Sequence, residues 1–270
     1  MRNRSIARPK LLATCLAAVF MAVVICPRPA VAANPLQELV NRAGAQVASF
    51  LDVISEVNCT EHVTQVKFGD SGKVVEKEES AFDYLILLSN TSGELNLVES
   101  RLAVNPKTPP KEKGPLLLSN GFSTLFLIFH PYYAPSFEFS AEGDETIGGR
   151  TFAKVHFRHI PGTRTPAALA VRGREYPLDL SGVAWIDPGT GVIARIDASL
   201  ESSMEDVGLR TLRSEVVYAP VTFPGQSQAY WLPAQATVEV ESIHQHWQNT
   251  HTFSGYKRFS VTTKEQMTQP

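Results

Sequence analysis

The chain has 270 residues, 25 Lys and Arg against 27 Asp and Glu, a formal net charge of −2 at pH 7 and 43% hydrophobic residues. That is ample to bury a core. A mildly acidic surface of mixed sign speaks against nucleic acid as partner, because phosphate binding requires clustered Lys and Arg.

Arg2, Arg4, Arg8 and Lys10 precede an uncharged apolar run from Leu11 to Cys26, and PRPAVAAN follows with small residues at Ala30, Ala32 and Ala33. Basic, apolar and small-residue segments in that order read as a secretory signal peptide cleaved after Ala32 or Ala33. The apolar run ends at Pro27, short of the about 20 residues a spanning helix needs. The expected organisation is a signal peptide over 1–33 and one domain over 34–270, located in the periplasm or outside the cell. Residues 1–33 carry five basic and no acidic residues, so the mature chain keeps 20 basic against 27 acidic. Cys15 and Cys26 leave with that segment, which leaves Cys59 without an internal disulfide partner. Its place in VNCTEHVTQV suits a buried small hydrophobe.

The mature chain opens with an amphipathic helix. Asn34 can cap it, Pro35 suits its first position, and Leu36, Leu39, Val40, Ala43, Val47, Phe50, Leu51 and Ile54 recur at spacings of three and four. From Cys59 the period becomes two: Cys59, Glu61, Val63, Gln65 and Lys67 share one face, and Thr60, His62, Thr64 and Val66 the other. VVEKEESAFDYLILLS and, after the turn NTSG, ELNLVESRLAV extend this into a meander. NPKTPPKEKGP, 105–115, is a loop, since its prolines forbid a regular element. LLLSNGFSTLFLIFHPYY then offers a second, apolar helix bearing Phe122, Leu125, Phe126 and Phe129, read as a core element in preference to a movable lid. After Phe137 at least seven β segments follow, punctuated by Gly, Pro and Asn. Gly148-Gly149 among them is a strong two-residue hairpin signal. The predicted fold class is mainly β with α: a curved antiparallel sheet forming a half-open β-barrel, covered by the two helices.

SGVAWIDPGTGVIARIDASL, 181–200, invites a catalytic reading through Asp187 and Asp197, two carboxylates around a turn. DPGTG is nevertheless a turn string in its own right. On that reading Val183, Trp185 and Asp187 share a face, Val192, Ala194, Ile196 and Ala198 form an apolar face on the return, and Asp187 sits at a solvated tip with an ordinary pKa. HQHWQNTH places His244 and His246 on one face of a strand, with His251 returning on the next, a spacing open to zinc. Solvent-facing polar side chains explain the same residues, so no metal is assigned. Nucleophile-elbow, zinc-protease and phosphate-cradle motifs do not occur, and neither catalytic residues nor a cofactor is expected.

GVAWIDPGTGVIARIDA resembles the G-x-x-W-I-D-x-x-T-G-x-x-x-R hairpin of the outer-membrane lipoprotein carrier and localisation superfamily. YWLPAQATVEV with NTHTFSGYKRF resembles that group's later strand pair. The likeness covers roughly 140–262 by motif. It implies a half-open barrel whose concave apolar face is capped by helices, as in carriers of acyl chains. The expectation is a non-enzymatic binding protein holding a lipid, acyl chain or other apolar ligand between sheet and helices. The alternative is an envelope structural or interaction module with a filled core. Phe126, Phe129, Val155, Phe157, Trp185, Ile196, Val216 and Tyr218 are the candidate ligand-lining residues. A lipid, an acylated protein or an envelope protein is the expected partner.

Overall fold

The computed structural model describes residues 34–91, 94–103, 121–171 and 174–259. Contacts divide the chain into Met1–Ala33 and Asn34–Pro270, and every described residue belongs to the second unit. The expected signal peptide over 1–33 and the expected Pro-rich loop over 105–115 lie outside the described residues.

Helix α1, Pro35–Ile54, begins where the side chain of Asn34 accepts the Leu36 N–H at 3.1 Å and proline occupies the first turn. Leu39, Val40, Ala43, Gly44, Val47, Leu51 and Ile54 are its buried residues, the three-and-four spacing that aims one stripe at a sheet.

Twelve strands follow: β1 Val57–Phe68, β2 Val74–Thr91, β3 Glu94–Ala103, β4 Phe137–Ile147, β5 Arg150–His159, β6 Ala168–Val171, β7 Arg174–Pro177, β8 Leu180–Ile186, β9 Ile193–Leu200, β10 Leu209–Thr222, β11 Ala229–Ser242 and β12 His246–Arg258. Ten of them form one antiparallel sheet in the order β3-β2-β1-β12-β11-β10-β9-β8-β5-β4, and β6 pairs with β7 separately. Most neighbours are sequential hairpins, so short turns suffice. Two joins are not sequential: β5 with β8, across the β6–β7 pair, and the longest-range one, β1 with β12, where Val63 faces His251 and Phe68 faces His246. The sheet does not close on itself: β3 and β4 are its two edges. The architecture is therefore the expected half-open antiparallel sheet.

The β4–β5 turn at Gly148-Gly149 takes φ of 59° and 80°, the two positive values a two-residue hairpin requires. Pro220 fits inside β10 because β9 pairs with that strand only as far as Val217, so at Pro220 the strand has β11 as its paired neighbour.

Two local readings change. The second helix is a 3-10 segment, Phe122–Phe129, kinked at Thr124. Leu125, Phe126, Leu127, Ile128 and Phe129 are all buried, so burial on every side sets its geometry rather than one amphipathic face. The other change concerns HQHW: β11 ends at Ser242 and β12 starts at His246, so the hairpin turn falls at Ile243–Gln245. Backbone Ser242 N–H donates to Gln245 O at 2.8 Å and closes it.

Candidate functional site

On one side of the sheet, α1 and the 3-10 segment seal a continuous apolar core. Two close approaches clamp the helix there. A Cβ on Gly44 would stand 2.7 Å from the Phe129 carbonyl oxygen, and a Cβ on Gly191 would stand 2.7 Å from the backbone of Arg42. Gly191 also has φ of +78°, so both space and backbone exclude a side chain. Arg42 completes the second clamp by donating from its guanidinium to the Pro188 carbonyl.

The DPGTG turn is thus a docking point for α1. Asp187 Oδ1 accepts the N–H groups of Gly189 at 3.0 Å and Thr190 at 2.7 Å and the Thr190 hydroxyl at 2.7 Å, while Arg150 Nε reaches Oδ2 at 2.8 Å. Burial alone would raise this carboxyl; the Thr190 hydroxyl and N–H and the Arg150 guanidinium outweigh it and hold the pKa below the ordinary value. The expectation of a solvated tip with an ordinary pKa is corrected accordingly, while the turn role stands.

Cα partners in an antiparallel pair project to the same side, and successive residues alternate. Trp185 pairs with Arg195 and Ala184 with Ile196. Trp185 and Ile196 therefore point to opposite sides of the sheet. Ile196 joins the main core; Trp185 packs with Phe152 and Ala194 in a separate outer cluster. There the Arg195 guanidinium stacks 4.5 Å from the Trp185 ring centroid, and the indole N–H donates to Glu145 at 2.9 Å. A register shift between Trp185 and Ile186 lets Ile186 and Ile193 turn to the main core together, an irregularity that strict alternation cannot foresee.

The other candidate lining residues, Phe126, Phe129, Val155, Phe157, Val216 and Tyr218, all lie in the main core. Among the described residues, two openings flank α1. One, of about 60 Å³, is bordered by Phe50, Phe126, Ile193, Tyr218 and Trp231. The larger, of about 500 Å³, runs between α1 and the segment from Phe129 to Phe139, walled by Val40, Gly44, Phe129, Pro131, Phe137 and Phe139. No charged side chain lines it; Gln37 and Asn41 contribute the polar groups. Of the predicted set, Phe126 and Tyr218 border the small opening and Phe129 the large one. Val155, Phe157, Ile196 and Val216 border neither.

A second constellation lies on the same side of the sheet, across β3, β2, β1 and β12. Glu61, fully enclosed at 0% exposure, receives Arg101 Nε at 2.5 Å and Nη2 at 2.9 Å, and His251 Nδ1 at 2.8 Å. Arg101 Nη2 also stands 2.9 Å from Glu99. Glu99 in turn accepts the Gly121 N–H at 3.0 Å and the Ser123 hydroxyl at 2.9 Å, and Ser123 bonds the Tyr84 hydroxyl at 2.6 Å. The network therefore ties the start of the 3-10 segment to edge strand β3. Burial alone would raise the Glu61 carboxyl, yet hydrogen bonds from His251 and Arg101 and their charge keep it below the usual carboxylate value. Burial likewise pushes the Cys59 thiol up to about 12, so Cys59 is an un-ionised core residue.

Sequence reasoning missed this network as a unit, because its members come from residues 61, 84, 99, 101, 123 and 251. One signal was present: the alternation that buries Cys59 and Val63 must also bury Glu61, and a buried carboxylate requires a cation. The histidines separate. His244 lies in the β11–β12 turn, His246 bonds Glu239 at 2.6 Å, and His251 is held by Glu61. His246 and His251 sit on one strand, five residues apart and so on opposite faces, which corrects the two-strand arrangement. Among the described residues there is no cluster of three or more His, Cys, Asp and Glu placed to hold a metal ion.

No family model matches the chain, and no curated protein matches it either. Among solved structures, it is similar to a DUF1329 family protein from Desulfovibrio piger, with 11% identity, a TM-score of 0.42 and coverage of 85% of this chain and 95% of that one. It is similar to a domain named for outer membrane lipoprotein sorting from Vibrio parahaemolyticus, with 8% identity, a TM-score of 0.40 and coverage of 83% and 95%. A chain of the Pseudomonas aeruginosa MucA/MucB complex aligns with 9% identity, a TM-score of 0.23 and coverage of 84% and 100%.

Proposed function

We propose that this chain is an exported, non-enzymatic binding protein of the bacterial cell envelope that takes the acyl chain of a lipid or lipidated protein in the groove beside α1. The groove carries the reading: about 500 Å³ is within the range of small-ligand sites, and its walls are mainly apolar and free of charge, the two polar side chains, Gln37 and Asn41, bonding each other at 2.9 Å. An acyl chain needs no hydrogen-bonding partner along its length, which matches those walls. Export follows from the basic, apolar and small-residue order of the first 33 residues. The occupant lies to the side of the helix rather than between sheet and helix, where Ala43, Ile128, Phe157, Ile196 and Val216 already fill the space.

The test is binding of a fluorescent fatty acid to the purified mature chain, together with lipid extraction and mass spectrometry. Ala45 is exposed and borders the groove, so Ala45→Trp fills the groove while leaving the core intact. The expected result is saturable binding weakened at least tenfold by Ala45→Trp. Absence of binding in the unaltered chain, or binding indifferent to Ala45→Trp, overturns the groove. The filled core favours one second reading, an envelope interaction module without ligand, and a lipid-free chain that binds no fatty acid is its expected result.

A further inference from the structure

One wall of the groove beside α1 is the segment from Phe129 to Phe139. Beyond β5 the chain runs through residues 160–165, and contacts from His159 and this loop fasten the wall. Ile160 N–H donates to the Ser136 carbonyl at 2.9 Å, and the Thr163 hydroxyl approaches the same oxygen at 3.4 Å. The Arg164 guanidinium stacks 4.0 Å from the Tyr132 ring centroid, and the Phe137 ring meets the His159 ring edge-on with centroids 5.1 Å apart. Ser136 stands between Pro135 and Phe137, which both line the groove. Whatever holds this loop therefore holds the wall.

His159 holds the loop, and its side chain is enclosed, at 1% exposure. Nδ1 stands 2.7 Å from Asp179 Oδ1, while Nε2 stands 3.3 Å from the Arg164 carbonyl oxygen and 3.3 Å from Thr163 Oγ1. A carboxylate and a carbonyl oxygen bring no hydrogen, so at each end of the ring the proton must come from the imidazole. The Thr163 hydroxyl is itself engaged, donating to the Ile160 carbonyl at 2.6 Å. These contacts are all satisfied by the imidazolium, which carries N–H at both nitrogens. In the neutral ring Asp179 keeps the proton on Nδ1, and a bare Nε2 lone pair then faces the Arg164 oxygen. Two acceptors in that position repel, and the Thr163 hydroxyl can answer Nε2 only by leaving Ile160. Loss of one proton thus undoes the fastening of the loop.

We propose that His159 is a proton-operated latch on the groove: protonated, it ties the 160–165 loop to Asp179 and fixes the Ser136–Phe137 wall; neutral, it releases that wall and weakens the hold on the occupant. The latch depends on the acyl-chain reading only for what the groove holds. The fastened state binds one proton more than the released state, so acid favours it. Histidine is the side chain whose charge changes between roughly pH 5 and 8, which places the response in that range. Among the described residues, Asp179 is the charged side chain in contact with the ring. The Arg164 guanidinium turns to Tyr132, and Glu138 and Arg158, which alternate to the other side of β4 and β5, bond each other. His130 is the second imidazole of the wall; its Nδ1 accepts the Tyr132 N–H at 3.1 Å, and burial pushes its pKa down.

Amide exchange of the ligand-free mature chain, corrected for the intrinsic rate at each pH, reads the latch directly. The expected result is protection of the Ile160 N–H at least tenfold greater at about pH 5.5 than at about pH 8, with no such difference in His159→Gln. That variant retains His130, so the comparison separates the two imidazoles. Because His159 is enclosed, circular dichroism checks the fold, and Asp179→Asn supplies a second variant at a half-exposed side chain. Without the carboxylate the imidazolium is less favoured, and the response should move to lower pH. Binding of a pyrene-labelled fatty alcohol, uncharged at every pH used, then reads the groove: at least fivefold tighter at the lower pH, with that gain lost in His159→Gln. Equal protection at both pH values overturns the latch, as does a response that survives His159→Gln or is unmoved by Asp179→Asn. Alcohol bound equally at both overturns its hold on the groove. A protection response with no alcohol bound at either pH supports the latch and overturns the acyl-chain reading.

Discussion

The side of the sheet that carries the core is built in two ways. Beneath α1 and the 3-10 segment, Val155, Phe157, Ile196 and Val216 meet Ala43, Phe126, Ile128 and Phe129 in one apolar cluster. Toward β3 and β12, within the same burial, stand Glu61, Arg101, Glu99 and His251, joined by direct hydrogen bonds or ion contacts. The first region gains from every methylene enclosed and tolerates exchange of similar volumes. The second depends on complete partnering, since a buried charge is bearable only with its counter-charge in place. Stability in this protein is therefore dispersed in one region and concentrated in a few atoms in the other.

The sharpest way to break that contrast is Arg101→Met. It leaves Glu61 and Glu99 buried without their shared cation and should cost about 3–5 kcal/mol in urea denaturation. Combining it with Glu61→Leu should recover part of the loss, because the more deeply buried carboxylate then goes with its cation, while Glu99 keeps its hydrogen bonds from Ser123 and the Gly121 N–H. A double variant no better than the single would show that the region depends on packing, like its neighbour.

Acid should act on the charged region first. The folded pKa of Glu61 lies below its unfolded value, so its contribution to stability is present above the ordinary glutamate range of about 4.3 and is lost as pH falls through the folded value. Asp187 has the same sign. The urea midpoint should accordingly decline below about pH 4.5. A midpoint flat from pH 6 down to 3 would contradict the network.

The smallest of these effects is expected at the helix clamp. Asp187→Ala removes the acceptor for two backbone N–H groups, the Thr190 hydroxyl and Arg150, and should cost about 1–3 kcal/mol. Faster amide exchange in 188–192 and in α1 around Arg42, with the β1–β12 ladder unchanged, would localise the loss to the clamp.

Periodicity made α1, the strands of the meander β1–β3 and the glycine hairpin legible, because each single element is written within at most twenty consecutive residues; the half-open sheet followed from the long run of such hairpins. The eight candidate lining residues show the limit of the same logic. Seven lie in the main core, but Trp185 lies on the other side, because the pairing of Trp185 with Arg195 and the shift beside Ile186 belong to the register of two strands. The HQHW strand was misdivided for a related reason: Ser242 closes a turn onto Gln245, and a local pattern of polar residues does not distinguish that from a strand.

By itself the sequence determined which residues seek burial and at what period, which is a matter of local spacing and apolar content. Tertiary structure alone decided where that burial leaves room and where it encloses charge. The groove beside α1 lies where it does because Gly44 lets the distant Phe129 backbone approach the helix. Glu61 is held ionised because strands from residues 101 and 251 come to rest on either side of it. Neither distance is encoded in a neighbourhood of the chain; both follow from which strands the sheet makes adjacent.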